Sequence, residues 1–185
     1  LAKNAIKNNL KTDFILPSFV EKESISKAKN FEQNEKLKII TLSKLIKRKN
    51  INLVIEALAE IKDNMKDGEE FDFEYNIYGE GKKKEKNRLL KLIKKNNLEN
   101  FVKINDFIPH EKINSVLDKN NVFILPSVKE TFGLAYLEAL SCGLIVVGTK
   151  DTGISGVIQN KENGFLIEPN KKNVLEVLKE IYSLK

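Results

Sequence analysis

A chain of 185 residues has room for one domain that buries about two-thirds of its unfolded surface. Its 32 Lys and Arg against 26 Asp and Glu leave a net charge of +6, and no aromatic residues are interleaved among the lysines, which fits a solvated basic surface better than a nucleic-acid tract. One cysteine (Cys142) and one histidine (His110) exclude a disulfide framework, a zinc site and a multi-histidine centre.

The sequence opens on Leu1 rather than Met, as expected of a piece of a longer chain. No apolar run approaches the ~20 residues of a membrane span and no signal peptide is visible, so a cytoplasmic setting is expected. Short apolar runs then alternate with amphipathic helical patterns, which predicts βαβ units and a mostly parallel sheet. In chain order the predicted strands are Phe14–Leu16, Lys38–Thr41, Glu74–Tyr78, Val102–Asn105, Val122–Leu125, Ile145–Gly148 and Phe165–Ile167. Predicted helices run from Ile51 to Asn64, Lys82 to Lys95, Glu111 to Lys119, Phe132 to Ser141 and Lys171 to Leu184. Phe19 to Lys36 carries many charges and little periodicity and reads as a linker. Residues 1–36 are therefore assigned to a connection, a first strand and a linker, and 37–185 to an α/β domain of the Rossmann-like, doubly wound class.

The most informative stretch begins at Val122-Phe-Ile-Leu-Pro-Ser127 and ends at Gly143. An apolar run stops at Pro126, a polar loop carries Glu130, a helix follows, and Glu138 stands eight positions after Glu130. In an open parallel sheet, ligands bind beyond the carboxyl ends of strands, where loops lead into helix N-termini. Free N–H groups and the helix dipole favour an anion such as phosphate there. Two carboxylates flanking an anion site suit the hydroxyls of a sugar and of a ribose, so the arrangement reads as a nucleotide-sugar pocket.

The Glu-x7-Glu spacing, with Pro126-Ser127 before it and Phe132-Gly133-Leu134 within it, resembles the donor-binding domain of the retaining GT-B glycosyltransferases of group 1. The resemblance runs from about Lys38 to Lys185. Ile39-Ile-Thr-Leu-Ser-Lys-Leu45 with Lys49 and Leu53-Val-Ile-Glu-Ala-Leu58 is similar to the family's first strand, basic loop and helix. Tyr75-Asn-Ile-Tyr-Gly-Glu-Gly81 is similar to its Gly-acid-Gly segment, and Asn163-Gly164 to its late turn. Each piece alone is common; four in order and spacing are specific.

The resemblance implies one half of a GT-B fold, with an acceptor-binding N-terminal domain outside these residues. It implies a full enzyme that moves a hexose from a nucleoside diphosphate, a UDP-sugar by preference, to a sugar or lipid-linked acceptor with anomeric configuration kept. It implies no cofactor and no metal, and it allows peripheral contact of the full-length enzyme with the inner face of the cell membrane. Glu130 would accept from donor-sugar hydroxyls, and Glu138 from the ribose. Lys44 and Lys49 would hold the diphosphate and stabilise its developing charge, and with Glu130 they form the expected catalytic set. Gly133 and its neighbours Thr131, Phe132 and Leu134 would offer backbone N–H groups to the phosphates; an ordinary solvated helix start has the same geometry. Gly79 would let the backbone approach the ligand, or simply mark a tight turn. Ile108, in Phe107-Ile108-Pro109, would read the base edge with its main chain; the alternative is an X-Pro turn before a helix. His110 is expected to be an exposed residue near that helix start.

Five positions depart from the family pattern. Lys44 stands where Arg is usual, which loses the bidentate fork, and Asn50 follows Lys49 where Gly is usual. Thr152-Gly153-Ile154-Ser155-Gly156 replaces Gly-Gly-x-x-Glu, so Gly156 removes an acid, and Leu144 replaces a proline. Rival readings are a nucleotide-sugar epimerase or a glucan synthase or phosphorylase on the same fold, and a non-catalytic sugar-binding module.

Overall fold

The computed structural model describes residues 35–65, 71–131 and 133–184. The predicted strand Phe14–Leu16, nearly all of the linker and Phe132 lie outside the described residues. Among the described residues, six strands and five helices alternate. They are β1 (Leu37–Leu42), α1 (Ile51–Asp63), β2 (Phe73–Tyr78), α2 (Lys83–Lys95), β3 (Val102–Asn105), α3 (His110–Leu117), β4 (Val122–Ile124), α4 (Leu134–Ser141), β5 (Ile145–Thr149), β6 (Gly164–Ile167) and α5 (Lys171–Ser183). Two short 3-10 turns, Lys47–Lys49 and Gly153–Gly156, sit in the loops after β1 and β5.

The strands lie in the order β3-β2-β1-β4-β5-β6, and every pairing is parallel. Alternate residues of each strand face opposite sides of a sheet, and both sides are covered here. Ile39, Tyr75, Ile77, Val122 and Ile124 pack with α1, α2 and α5 in one core. Ile40, Phe123 and Val146 pack with Leu117 of α3 and Tyr136 and Ala139 of α4 in the other. This is the doubly wound Rossmann-like arrangement expected from the sequence, with all strands parallel rather than most. Below the crevice the sheet carries a buried polar bridge. Thr41 Oγ1 donates to the Ile124 carbonyl, and its hydroxyl and that of Tyr75 lie 2.7 Å apart, linking β2, β1 and β4.

Element ends differ from expectation by a residue or two, each for a local reason. Lys82 is extended (φ −60°, ψ 138°), so α2 starts at Lys83. Pro109 caps α3, which therefore starts at His110 rather than Glu111. The larger correction concerns α4. Gly133 has φ +73°, a left-handed conformation that no α-helix contains, so the helix begins at Leu134 and not at Phe132.

The loops after β1 and β2 run side by side. Ser43 N–H donates to Tyr78 O at 3.1 Å, and Leu45 N–H to Glu80 O at 2.7 Å. A Cβ on Gly79 (φ +149°) would stand 1.8 Å from Ser43 O, and one on Gly81 would stand 2.3 Å from Leu45 O. The Gly-x-Gly pair thus exists first for backbone contact between two loops. Gly79→Ala is expected to destabilise the chain by at least about 2 kcal/mol, combining a clash with an unfavourable φ. Gly156→Ala, with nothing within 4 Å of its Cβ, should stay within about 0.5 kcal/mol. Urea denaturation followed by circular dichroism checks both, and equal midpoints for the two variants would contradict the close-approach account.

Candidate functional site

Strand order reverses between β1 and β4, and their carboxyl-end loops part there. A cavity of about 310 Å³ opens along this edge. Its floor is Leu42, Ser43 and Lys44 at the carboxyl end of β1, with Tyr78, Gly79 and Glu80 at that of β2. One wall is Phe107 and Ile108 after β3, and the other is Ala135 and Glu138 of α4. The volume lies at the lower end of small-molecule sites. Phe107 is 60% exposed and Leu134, at the start of α4, 52%, so both leave apolar surface to solvent beside the polar groups.

Of the residues singled out from the sequence, Lys44, Gly79, Ile108 and Glu138 line this cavity. Lys44 is exposed. Glu138 projects from the second turn of α4 with a side chain only 13% exposed, and His110 Nδ1 lies 3.4 Å from its Oε1. Burial raises the Glu138 carboxyl above the ordinary glutamate range, and the imidazole of His110 works against that rise.

Lys49 and Glu130 do not line the cavity. They meet each other instead: Lys49 Nζ donates to Glu130 Oε2, with side chains only 10% and 13% exposed. Helix α4 begins between the two groups. Ala135 and Glu138 face the cavity, whereas a Cβ on Gly133 would approach the Glu130 Cγ to 3.2 Å and the Tyr136 ring to 2.5 Å. Only glycine fits at that corner. No side chain among the described residues caps the helix start, and the first N–H groups of any helix have no intrahelical acceptor. Tyr136 beneath is buried, donates to Leu125 O at 2.7 Å, and has its phenol pushed up by burial and by the nearby Glu130 charge. Thr131 is exposed beside this corner.

The loop that delivers Glu130 is fastened across the crevice to the loop that delivers Lys49. Val128 N–H donates to Arg48 O at 2.9 Å, and Asn50 Nδ2 donates to Pro126 O at 2.9 Å. Lys129, just before Glu130, has φ +58°, a conformation uncommon outside glycine and asparagine that the surrounding contacts hold. Asn50 has φ +53°, which explains why a residue replacing the family's glycine here is asparagine. It also adds a cross-loop hydrogen bond that glycine cannot make. Sequence reasoning missed this tie and the contacts of His110 and Tyr136. The one available signal was asparagine at a glycine position.

The sequence model described as "Glycosyl transferases group 1" matches residues 22–184. The putative colanic acid biosynthesis glycosyltransferase WcaL of Escherichia coli (strain K12) is 31% identical over 145 residues, 75% of this chain and 34% of its own length. A phosphatidylinositol N-acetylglucosaminyltransferase subunit of Arabidopsis thaliana is 26% identical over 174 residues, 92% of this chain and 36% of its own. The chain thus spans about a third of the length of these curated relatives. Among solved structures, the C-terminal domain of the group 1 protein LpcC from Francisella tularensis superimposes with a TM-score of 0.74 at 24% identity, covering 89% of this chain and 88% of that one. Anabaena HepE in complex with UDP-glucose gives 0.70 at 23% identity, over 80% and 39% of the two chains.

Removing one partner of the Lys49–Glu130 pair leaves a nearly buried charge alone, a loss of about 3 kcal/mol. Lys49→Met and Glu130→Gln are each expected to lower stability on that order. The double variant should recover at least half of the summed loss. Chemical denaturation of the four proteins measures the coupling, and strictly additive losses would mean that the contact contributes nothing.

Proposed function

The chain belongs to the group 1 glycosyl transferases, and we propose that its described residues form the nucleotide-sugar-binding domain of a retaining hexosyltransferase that takes a UDP-sugar as donor. The observation that carries this reading is the cavity at the strand-order reversal, with Glu138 in its wall and the uncapped start of α4 beside it. That the HepE structure holds UDP-glucose, and that a relative from Streptococcus agalactiae is named as a UDP-N-acetylglucosamine–peptide transferase, supports the choice of donor.

In this reading the nucleoside lies against Phe107 and Ile108, with the ribose hydroxyls donating to Glu138. A carboxylate accepting two hydroxyls is charge-assisted and directional. The diphosphate meets the first N–H groups of α4 and Lys44. Lys49 and Glu130 hold each other on the far side of the helix start. As the bond from the sugar carbon to the diphosphate oxygen breaks and the acceptor hydroxyl oxygen bonds to that carbon, passing its proton to the departing diphosphate, Lys49 faces the negative charge gathering on that leaving group. Glu130, relieved of the lysine, accepts from the hydroxyls of the sugar. Cationic groups aimed at developing charge act most strongly where water is excluded. An acceptor domain encoded outside these 185 residues would close the crevice and complete the catalytic set, so the chain alone is expected to bind donor and transfer nothing.

The two glutamates are expected to separate by ligand. Glu138→Gln should weaken UDP and UDP-sugar alike, whereas Glu130→Gln should spare UDP and weaken only the sugar-bearing donor. Lys44→Ala and Lys49→Ala should weaken UDP far more than uridine, by about 1.5–3 kcal/mol each, the size of hydrogen bonds to charged groups. Isothermal titration reads all four. If Glu130→Gln lost both ligands while Glu138→Gln lost neither, the roles assigned here would be wrong.

A further inference from the structure

We propose that His110 is a positioning residue for Glu138, fixing the carboxylate that reads the ribose. The proposal rests on the nucleotide-sugar reading above and adds a residue to it.

Glu138 stands on the cavity wall with most of its side chain removed from water. A desolvated carboxylate with no partner takes up a proton or rotates toward solvent. Among the described residues, the basic side chain in contact with it is His110, whose Nδ1 approaches Oε1 to 3.4 Å. The other charged groups on the same cavity are Lys44, from the end of β1, and Glu80, from the end of β2. His110 comes from the opposite side, on α3, and its side chain is 84% exposed. It therefore meets Oε1 from the solvent side, leaving the carboxylate's acceptor positions toward the cavity to a ligand.

The placement has a second consequence. His110 is the first residue of α3, directly after Phe107-Ile108-Pro109. Pro109, with its φ at −57°, links His110 directly to the two residues of the base-side wall. One four-residue segment thus carries both the surface proposed for the base and the clamp on the ribose acid. An exposed side chain with no packing role has little reason to matter for folding, which makes the contact testable by substitution.

The test is the preference for UDP over 2′,3′-dideoxy-UDP, titrated into the chain and into three variants. His110→Ala should lower that preference about fivefold, the equivalent of one ordinary hydrogen bond, with dideoxy-UDP affinity unchanged. His110→Asn, whose amide can donate in place of Nδ1, should keep the preference within about twofold. Glu138→Gln should lose the preference most. If Glu138→Gln loses it and His110→Ala keeps it, the positioning role is overturned and the ribose assignment stands. If Glu138→Gln also keeps it, the ribose assignment fails and the role of His110 fails with it. A loss of both ligands in equal measure on His110→Ala overturns the proposal as well.

Discussion

The gap between the carboxyl ends of β1 and β4 is the constraint on which the rest of the molecule depends. Strand order reverses there, so the chain leaving β1 turns toward β2 while the chain leaving β4 turns toward β5, and nothing in the sheet fills the space between. A parallel sheet cannot avoid such a gap when it grows in both directions from its first strand. The protein handles it in two layers. Beneath the gap, the Thr41 hydroxyl ties β1 to β4 and meets Tyr75 of β2. Above it, the loops are drawn together by Val128 on Arg48 and Asn50 on Pro126, and by the Lys49–Glu130 pair. What remains open is displaced to one side, over β1 and β2, and that opening is the cavity.

The fold was legible because every strand carries its own signal. Runs such as Val122-Phe123-Ile124 are buried on both faces and read as continuous apolar segments, while α2 places Leu89 and Ile93 one turn apart on a polar background. Glu138, Lys44, Gly79 and Ile108 were legible as site residues because they fall on motif positions of the family the sequence resembles, and the structure brings all four to one cavity. The partners of these residues were not legible. That Lys49 would direct its charge to Glu130, 81 positions away, or that His110 would reach Glu138, depends on how two loops and two helices cross in space. No local pattern encodes such crossings. The start of α4 was misread by two residues because Phe132-Gly133 continues a helical pattern of apolar residues, and only the positive φ of Gly133 interrupts it.

The two carboxylates of the Glu-x7-Glu pair live in different electrostatic surroundings. Glu130 is matched by a lysine on nearly equal terms of burial. Among the described residues Glu138 is matched by an exposed histidine, and burial outweighs it, so its carboxyl stays raised. The first is held by a partner, and the second is left with unmet acceptor capacity facing a cavity. In the proposed reading a ligand must displace the lysine to reach Glu130, whereas Glu138 already faces the cavity, even though the sequence presents both as glutamates flanking one helix start.

The paired glycines after β2 bear on how this pocket can diversify. Because Gly79 and Gly81 lie flush against the backbone of Ser43 and Leu45, a side chain placed at either position meets main-chain atoms. Drift in ligand preference over evolutionary time is therefore channelled away from this strip of backbone, toward positions such as Phe107 of the cavity wall, which is exposed and whose replacement disturbs little packing. A lineage of such domains can keep the glycine strip frozen as scaffold while it retunes the side chains around it. An engineer who wishes to redirect the pocket should randomise Phe107 first.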